Sequence, residues 1–185
     1  GLSFIAAFGL VKAATNFFAG TLSDRFGRKP VLVAGWLVAI PVPLLLIWAP
    51  TWGWVVFANV LLGINQGLTW STTVIMKIDL VGPKQRGLAM GVNEFAGYLA
   101  VAASALATGW IAARYGLRPE PFWLGVGYVA FGLGLSVLLV SETRHHVAHE
   151  VRIHHAGDAA PIPSQREIFR RTSLTDRNLS SVSQA

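Results

Sequence analysis

The sequence predicts an all-α integral membrane domain, and three observations predict it. Of 185 residues, 53% are hydrophobic and only 13% are charged, whereas about a quarter of an ordinary soluble domain is charged. The apolar residues gather into five runs, about 1–20, 30–50, 53–76, 87–113 and 122–141, each close to the roughly 20 residues that carry a helix across the hydrocarbon core. None of the runs alternates as a barrel strand does, and backbone groups in lipid are satisfied only within a helix or a closed barrel. Five transmembrane helices over residues 1–141 follow, with a polar segment, 142–185, behind them.

The first run begins at Gly1 with no basic lead-in, which fits neither a secretory signal nor an initiator end, so the chain reads as a fragment cut at its front. The second run contains Pro41 and Pro43. Their missing amide donors predict a bend without a break, because neighbouring helices compensate in a bundle. In the third run Asn65, Thr69 and Thr72 recur at i, i+4 and i+7, making one polar helix face. The fourth run opens on Gly87 and Gly91, a small-xxx-small pair that suits close helix packing, and the glycines of the fifth run read the same way. Trp36, Trp48, Trp52, Trp54, Trp70, Trp110 and Trp123 mostly stand near run ends, as interfacial anchors do.

Charge orients the bundle. Arg25, Arg28 and Lys29 lie between the first two runs, and Lys77, Lys84 and Arg86 between the third and fourth, all on one side. The other side holds only Arg114 and Arg118, so the positive-inside rule makes the first side cytoplasmic, and the segment after Ser141 with it. Of the 15 basic and 9 acidic residues, 9 and 4 fall in residues 1–141. The basic excess therefore belongs to short membrane loops, which argues against nucleic acid as a partner. With no Cys, disulfides and thiolate metal sites are excluded.

One loop is far more specific than the rest. Gly20-Thr-Leu22-Ser-Asp24-Arg25-Phe-Gly27-Arg28-Lys29-Pro30 closes the first run, and it resembles the signature loop between helices two and three of major facilitator transporters at glycine, leucine, aspartate, arginine, glycine, arginine and lysine. Physically, Gly20 suits close helix packing, Gly27 a tight turn, and Asp24 among Arg25, Arg28 and Lys29 a charge cluster at a helix end. Asp79-Leu-Val-Gly-Pro83-Lys-Gln-Arg86-Gly87-Leu-Ala89-Met-Gly91 is similar to the family's loop from helix four to five, Gln66-Gly67 to its fourth helix, and Glu142-Thr143-Arg144 to its exit from helix six. The resemblance places the runs as helices two to six of the amino-terminal six-helix bundle, a partial major facilitator fold. The alternative register is the carboxy-terminal half, whose repeat carries a weaker copy of the loop.

The resemblance implies secondary transport of a small-molecule solute by alternating access across the plasma (bacterial inner) membrane, with a possible coupling ion, proton or sodium. It gives Gly20, Leu22, Asp24, Arg25, Gly27, Arg28 and Lys29 a gating role against the second half of the same polypeptide, Asp24 facing that half, and it joins Asp79 and Arg86 in a cytoplasmic charge network. Two departures bear on coupling: Gly63 stands where many proton-coupled members carry arginine, and the fourth run lacks the helix-five glycine-proline pair of drug and proton antiporters. Proton antiport through those residues is not implied.

Within the membrane, Lys12 and Glu94 interrupt apolar runs, and charges there normally face a water-filled cavity or a partner. Lys12 with Asn16, and Glu94 with Tyr98, each share a helix face at i and i+4. These four, with Asn65, Gln66 and Thr69, are the candidate substrate or proton path: Glu94 as proton carrier, Lys12 as the neutraliser of an anionic solute. The competing reading is structural, with Lys12 and Glu94 paired, Lys12 snorkelling, or the polar stripe bonding helices together. A catalytic role lacks its residues, since no His, Cys, HExxH or GxSxG lies in any run, and no cofactor or metal is implied. A membrane scaffold or receptor is the remaining alternative, and it has little use for such polar residues at depth. In the tail, His145 with His149 and His146 with Glu150 are helical neighbours suited at most to weak metal binding. The stretch 164–174, with Ile168, Phe169 and Leu174 beside Arg166, Arg170 and Arg171, suits a short amphipathic helix on the inner face of the lipid bilayer.

Overall fold

The computed structural model describes residues 2–143, apart from the side chains of 82–84. The helix expected at 164–174 and the tail histidines lie outside the described residues. Five helices follow in order, α1 (Ser3–Phe26), α2 (Arg28–Ala39), α3 (Pro41–Ile47), α4 (Trp52–Tyr115) and α5 (Glu120–Leu138), with no strand among the described residues.

The second apolar run differs slightly from the bend expected of it, being divided at Ile40 into α2 and α3. Ile40 itself keeps helical dihedrals, φ −51° and ψ −51°, and its amide reaches back three residues to the Leu37 carbonyl at 3.3 Å. Pro41 then opens α3 at a position where its missing amide costs nothing. The interruption is thus one residue long, and α2 and α3 together cover one span, Arg28–Ile47.

The third and fourth runs are carried by one helical element, the 64-residue α4. Straight, it would measure about 96 Å, three times the hydrocarbon thickness of about 30 Å. It is not straight. Lys77 bonds Asn93, 16 residues on, and the ring of Trp70 lies against Gly97, 2.6 Å from where a Cβ would stand. On a straight helix those pairs would be about 24 and 40 Å apart. The chain therefore turns back between Lys77 and Asn93. We call residues 52–81 the first arm and Gln85–Tyr115 the second.

Sidedness is internally consistent. At one end of the bundle Arg28 meets Asp79 and Glu142. At the other, Arg118 Nη1 donates to the Ala49 carbonyl at 3.1 Å, and Trp52 Nε1 to Ser3 Oγ at 3.0 Å.

Among the described residues, four helical stretches are apolar and long enough to cross a membrane: Ser3–Phe26, Arg28–Ile47, Gln85–Tyr115 and Glu120–Leu138. The first arm is more polar because protein surrounds it. Gly63 and Gly67 bring it onto the backbone of α1, where added Cβ atoms would stand 2.9 Å from the Phe8 carbonyl oxygen and 2.5 Å from Thr15 Cβ. This is the small-xxx-small contact by which helices associate in lipid. Gly35 of α2 meets Thr69 in the same way at 2.7 Å, and Gly132 of α5 receives the Trp36 ring of α2. A small core of Ala19, Val31 and Leu68, flanked by Leu22 and Ile64, closes α1 and α2 over the arm. Large side chains such as Leu10, Phe95 and Leu106 are exposed on the outside of the bundle.

Several packing expectations are corrected. Nothing lies within 4 Å of a Cβ built on Gly20, Gly87 or Gly91, whereas Gly63 and Gly67 make the close crossing. Of the tryptophans, Trp36 and Trp70 fill helix contacts against Gly132 and Gly97 instead of anchoring at an interface.

Candidate functional site

The signature loop becomes a three-element junction. Gly27 ends α1 and caps α2 with φ +98°, a conformation that glycine adopts without steric cost. A side chain there would strain the backbone, and its Cβ, 2.7 Å from Glu142 Oε2, would push that carboxylate aside. The Glu142 carboxylate, arriving from beyond α5, accepts the backbone amides of Arg28 and Lys29, each at 3.0 Å. It thus satisfies two of the orphan donors at the α2 amino terminus, where the helix dipole also favours negative charge. Lys29 Nζ returns the contact by donating to the Val137 carbonyl at 2.9 Å, in the last turn of α5.

Above this cap the Arg28 side chain, 8% exposed, joins two acids. Its Nη1 pairs with Asp24, 67% exposed at the end of α1, and its Nε donates at 3.2 Å to Asp79 Oδ2, which is 9% exposed on the first arm. Thr143 Oγ1 donates to the same Asp79 oxygen at 3.0 Å. Arg28 therefore ties the ends of α1, α2 and the first arm together, with the exit of α5 closing the ring. The other loop cations stand outside it. Arg25 lies over the Phe26 ring at 5.3 Å, and Arg86 is exposed with no ion pair among the described residues. Leu22 packs on the small core. Glu142 and Thr143 are the residues whose role the sequence hid: they appear there as a helix exit, and their amide and acid partners lie 113, 114 and 64 positions away.

A second polar group lies at membrane depth, between α1 and the first arm. Lys12 Nζ donates to Gln66 Oε1 at 3.1 Å and lies 5.6 Å from the Phe8 ring centre. One turn on, Ser71 Oγ donates to Asn16 Oδ1 at 2.9 Å. The expected polar stripe turns mostly inward. Asn65, buried, donates to the Gly35 carbonyl at 2.9 Å, and Thr69 to its own helix at the Asn65 carbonyl at 2.7 Å. Thr72 is fully buried with no partner for its hydroxyl among the described residues.

Lys12 and Glu94 do not pair. Glu94 Oε1 accepts from Asn93 Nδ2 at 3.4 Å, and Asn93, buried between the arms, accepts from Lys77. Tyr98 is 73% exposed. A cavity of about 710 Å³ opens between α2, α3, both arms and α5. It is lined mostly by apolar groups such as Trp36, Pro43 and Phe131, with Asn65 and Gln66 contributing amides, and Ser104 and Tyr128 sharing a 2.9 Å hydrogen bond. Of the candidate path residues, Asn65 and Gln66 border this cavity, while Lys12, Asn16, Thr69, Glu94 and Tyr98 do not. Ser104 and Tyr128 carry no sequence signal beyond isolated hydroxyls in apolar runs.

Comparison with known proteins agrees with the geometry. The family model described as Major Facilitator Superfamily matches residues 1–179. The chain is 27% identical over 179 residues to the probable 4-methylmuconolactone transporter of Cupriavidus pinatubonensis, a match covering 94% of this chain and 40% of that protein. It is 37% identical over 99 residues to the proton-coupled antiporter flippase LtaA of Staphylococcus haemolyticus, covering 53% of this chain and 23% of that protein. Against the multidrug transporter AQR1 of Candida glabrata it is 28% identical over 137 residues, 73% of this chain and 23% of the relative. The chain spans less than half the length of each of these relatives. No solved structure matches. The helical bundle, the ring of charges around Arg28 and a family match over nearly the whole chain agree: this multi-pass membrane chain belongs to the major facilitator superfamily.

Proposed function

We propose that the chain is part of a secondary active transporter that moves a small solute by alternating access across the plasma (bacterial inner) membrane, working with a second half of the same polypeptide. The observation that carries this is the junction at Arg28. A carrier that rocks needs rigid helix groups whose cytoplasmic ends are held together in one state. Arg28, Asp79, Glu142 and Thr143 bind α2, the first arm and the exit of α5 through named polar contacts at a single end of the bundle, and Arg28 adds α1 through Asp24. Asp24, paired with Arg28 on one side, is 67% exposed beside them and can also meet a partner group on another helix bundle. In this reading the loop Gly20–Lys29 braces the cytoplasmic side, and Asn65 and Gln66 face the solute near mid-membrane.

The coupling ion is assigned to a proton or sodium, with Glu94, the acid of the second arm, as its carrier. That the relative from S. haemolyticus is named a proton-coupled antiporter favours the proton. The test is uptake into proteoliposomes by the full-length protein under imposed proton and sodium gradients. Gradient-driven solute movement that falls at least about tenfold in Asp24→Asn, with Glu94→Gln abolishing the gradient's effect, is the expected result. Absence of movement under every gradient overturns transport, and unchanged coupling in Glu94→Gln removes that acid from it.

A further inference from the structure

We propose that Lys12 and Gln66 form an anion-binding site at mid-membrane and that the solute accepted there carries a carboxylate. The proposal deepens the transport reading and rests on it.

Depth comes first. Lys12 stands nine residues after Ser3 and fourteen before Phe26 in α1, about 13 Å and 21 Å along the helix axis from its ends. The four-carbon stem of a lysine cannot cover either distance, so snorkelling to an interface is excluded. Its Nζ is instead turned sideways onto Gln66 of the neighbouring arm. The juxtaposition is enforced by backbone, because Gly63 and Gly67 flank Gln66 and press the arm onto α1 at the Lys12 and Asn16 amides, each 3.2 Å from a built Cβ.

Hydrogen-bond capacity comes second. An ammonium only donates, so the carboxamide must present its oxygen to Lys12, which leaves the Gln66 amino group pointing elsewhere with two donors. That group has no acceptor among the described residues, and Gln66 borders the 710 Å³ cavity. Lys12 keeps donors beyond the one it gives. A turn further on, the Ser71 hydroxyl occupies the oxygen of Asn16, so that amide too is left with its donors. Among the described residues, Lys12, Gln66 and Asn16 therefore make a strip of unused donors along α1 and the first arm, with Gln66 at the cavity edge.

Charge comes third. Among the described residues the ion pairs all belong to Arg28, Glu94 is bonded by Asn93, and Lys12 meets neutral groups, the Gln66 oxygen and the Phe8 ring. A cation at this depth is expected to have an anionic counterpart. A carboxylate has several acceptor sites and no donor, and it complements an ammonium beside an amide NH₂.

The experiment uses the purified full-length protein in nanodiscs. Its melting temperature is titrated with sodium acetate, lactate and benzoate, and in parallel with acetamide, lactamide and benzamide, which keep the shape and lose the charge. At least one carboxylate is expected to stabilise the protein while its amide does not. Its apparent affinity should fall by about tenfold or more in Lys12→Gln, stay within a few-fold in Lys12→Arg, and fall by a smaller factor in Gln66→Leu. The proposal is overturned if acid and amide bind alike, if none of the three acids binds, or if Lys12→Gln binds the acid as the parent does. It is also overturned if Lys12→Gln lowers the melting temperature sharply without any added acid, since Lys12 would then be answering a carboxylate of the protein itself. Transport is judged separately: movement of neutral solutes in proteoliposomes alongside a failed acid titration would remove the anion site and leave the carrier.

Discussion

The two polar regions of this bundle differ in how fully they are answered. At the Arg28 end of the bundle Arg28 faces two carboxylates, Asp79 accepts two bonds, and Glu142 takes two backbone amides. At mid-membrane, among the described residues, Lys12 has one neutral oxygen and a ring, Gln66 and Asn16 keep unused donors, and Thr72 has a buried hydroxyl with no partner. A closed ring of charges holds a shape. An open set of donors in a low-dielectric place does so poorly, because each unmade bond is costly, and it is better suited to receiving a ligand. In the transport reading proposed above, the junction is the brace and the middle the seat.

The largest effect expected tests the brace. Arg28→Ala leaves Asp79 buried without its cation, which should cost about 3–5 kcal/mol in denaturant unfolding of the purified protein. Adding Asp79→Ala should recover part of the loss, with a coupling of about 1–3 kcal/mol. Additive single effects would show that the ring does not act as a unit.

A second substitution opens the seat without touching the brace. Gly67→Val drives a side chain into Thr15, where even a Cβ would stand 2.5 Å away, and should cost about 1–3 kcal/mol through the separation of α1 from the first arm. Gly91→Ala, with nothing within 4 Å, should change stability by less than about 0.5 kcal/mol. Equal costs at the two positions would break the packing account.

The sign should reverse at Thr72. Thr72→Val removes a buried hydroxyl that makes no bond among the described residues and should be neutral or stabilising by about 1 kcal/mol. Loss of stability would mean that the hydroxyl is bonded and the middle less open than described. At the cap, Glu142→Gln keeps an oxygen for one α2 amide, sets its NH₂ donor against the other and loses its charge at the helix end, which should cost about 1 kcal/mol in denaturant unfolding.

Much of the fold was legible because lipid makes length and apolarity decisive: a run of about 20 such residues has few alternatives to a helix. The signature loop was legible because its marked positions are consecutive. Its closure was not. Glu142 and Asp79 could be seen as acids near helix ends, but which amide or cation each would meet depends on helices packed more than 50 residues apart in sequence. Glycines were the least readable. Gly63 stood out as an absent arginine and proves to be a helix crossing, while Gly20, Gly87 and Gly91 had the right residue type and touch nothing within 4 Å. A glycine permits close approach, and only the neighbour decides whether it is used.

What the sequence by itself determined is therefore what depends on single segments: apolar helical stretches, the glycine turn before α2 and the family these describe. Tertiary structure decided the pairings: the first arm inside the bundle, Asn65 spent on Gly35, Lys12 turned to Gln66 instead of Glu94. The physical reason is the range of the forces. Burial in lipid and backbone conformation act on each stretch of chain alone, whereas a hydrogen bond needs two groups within about 3 Å, and the packing of whole helices sets that distance.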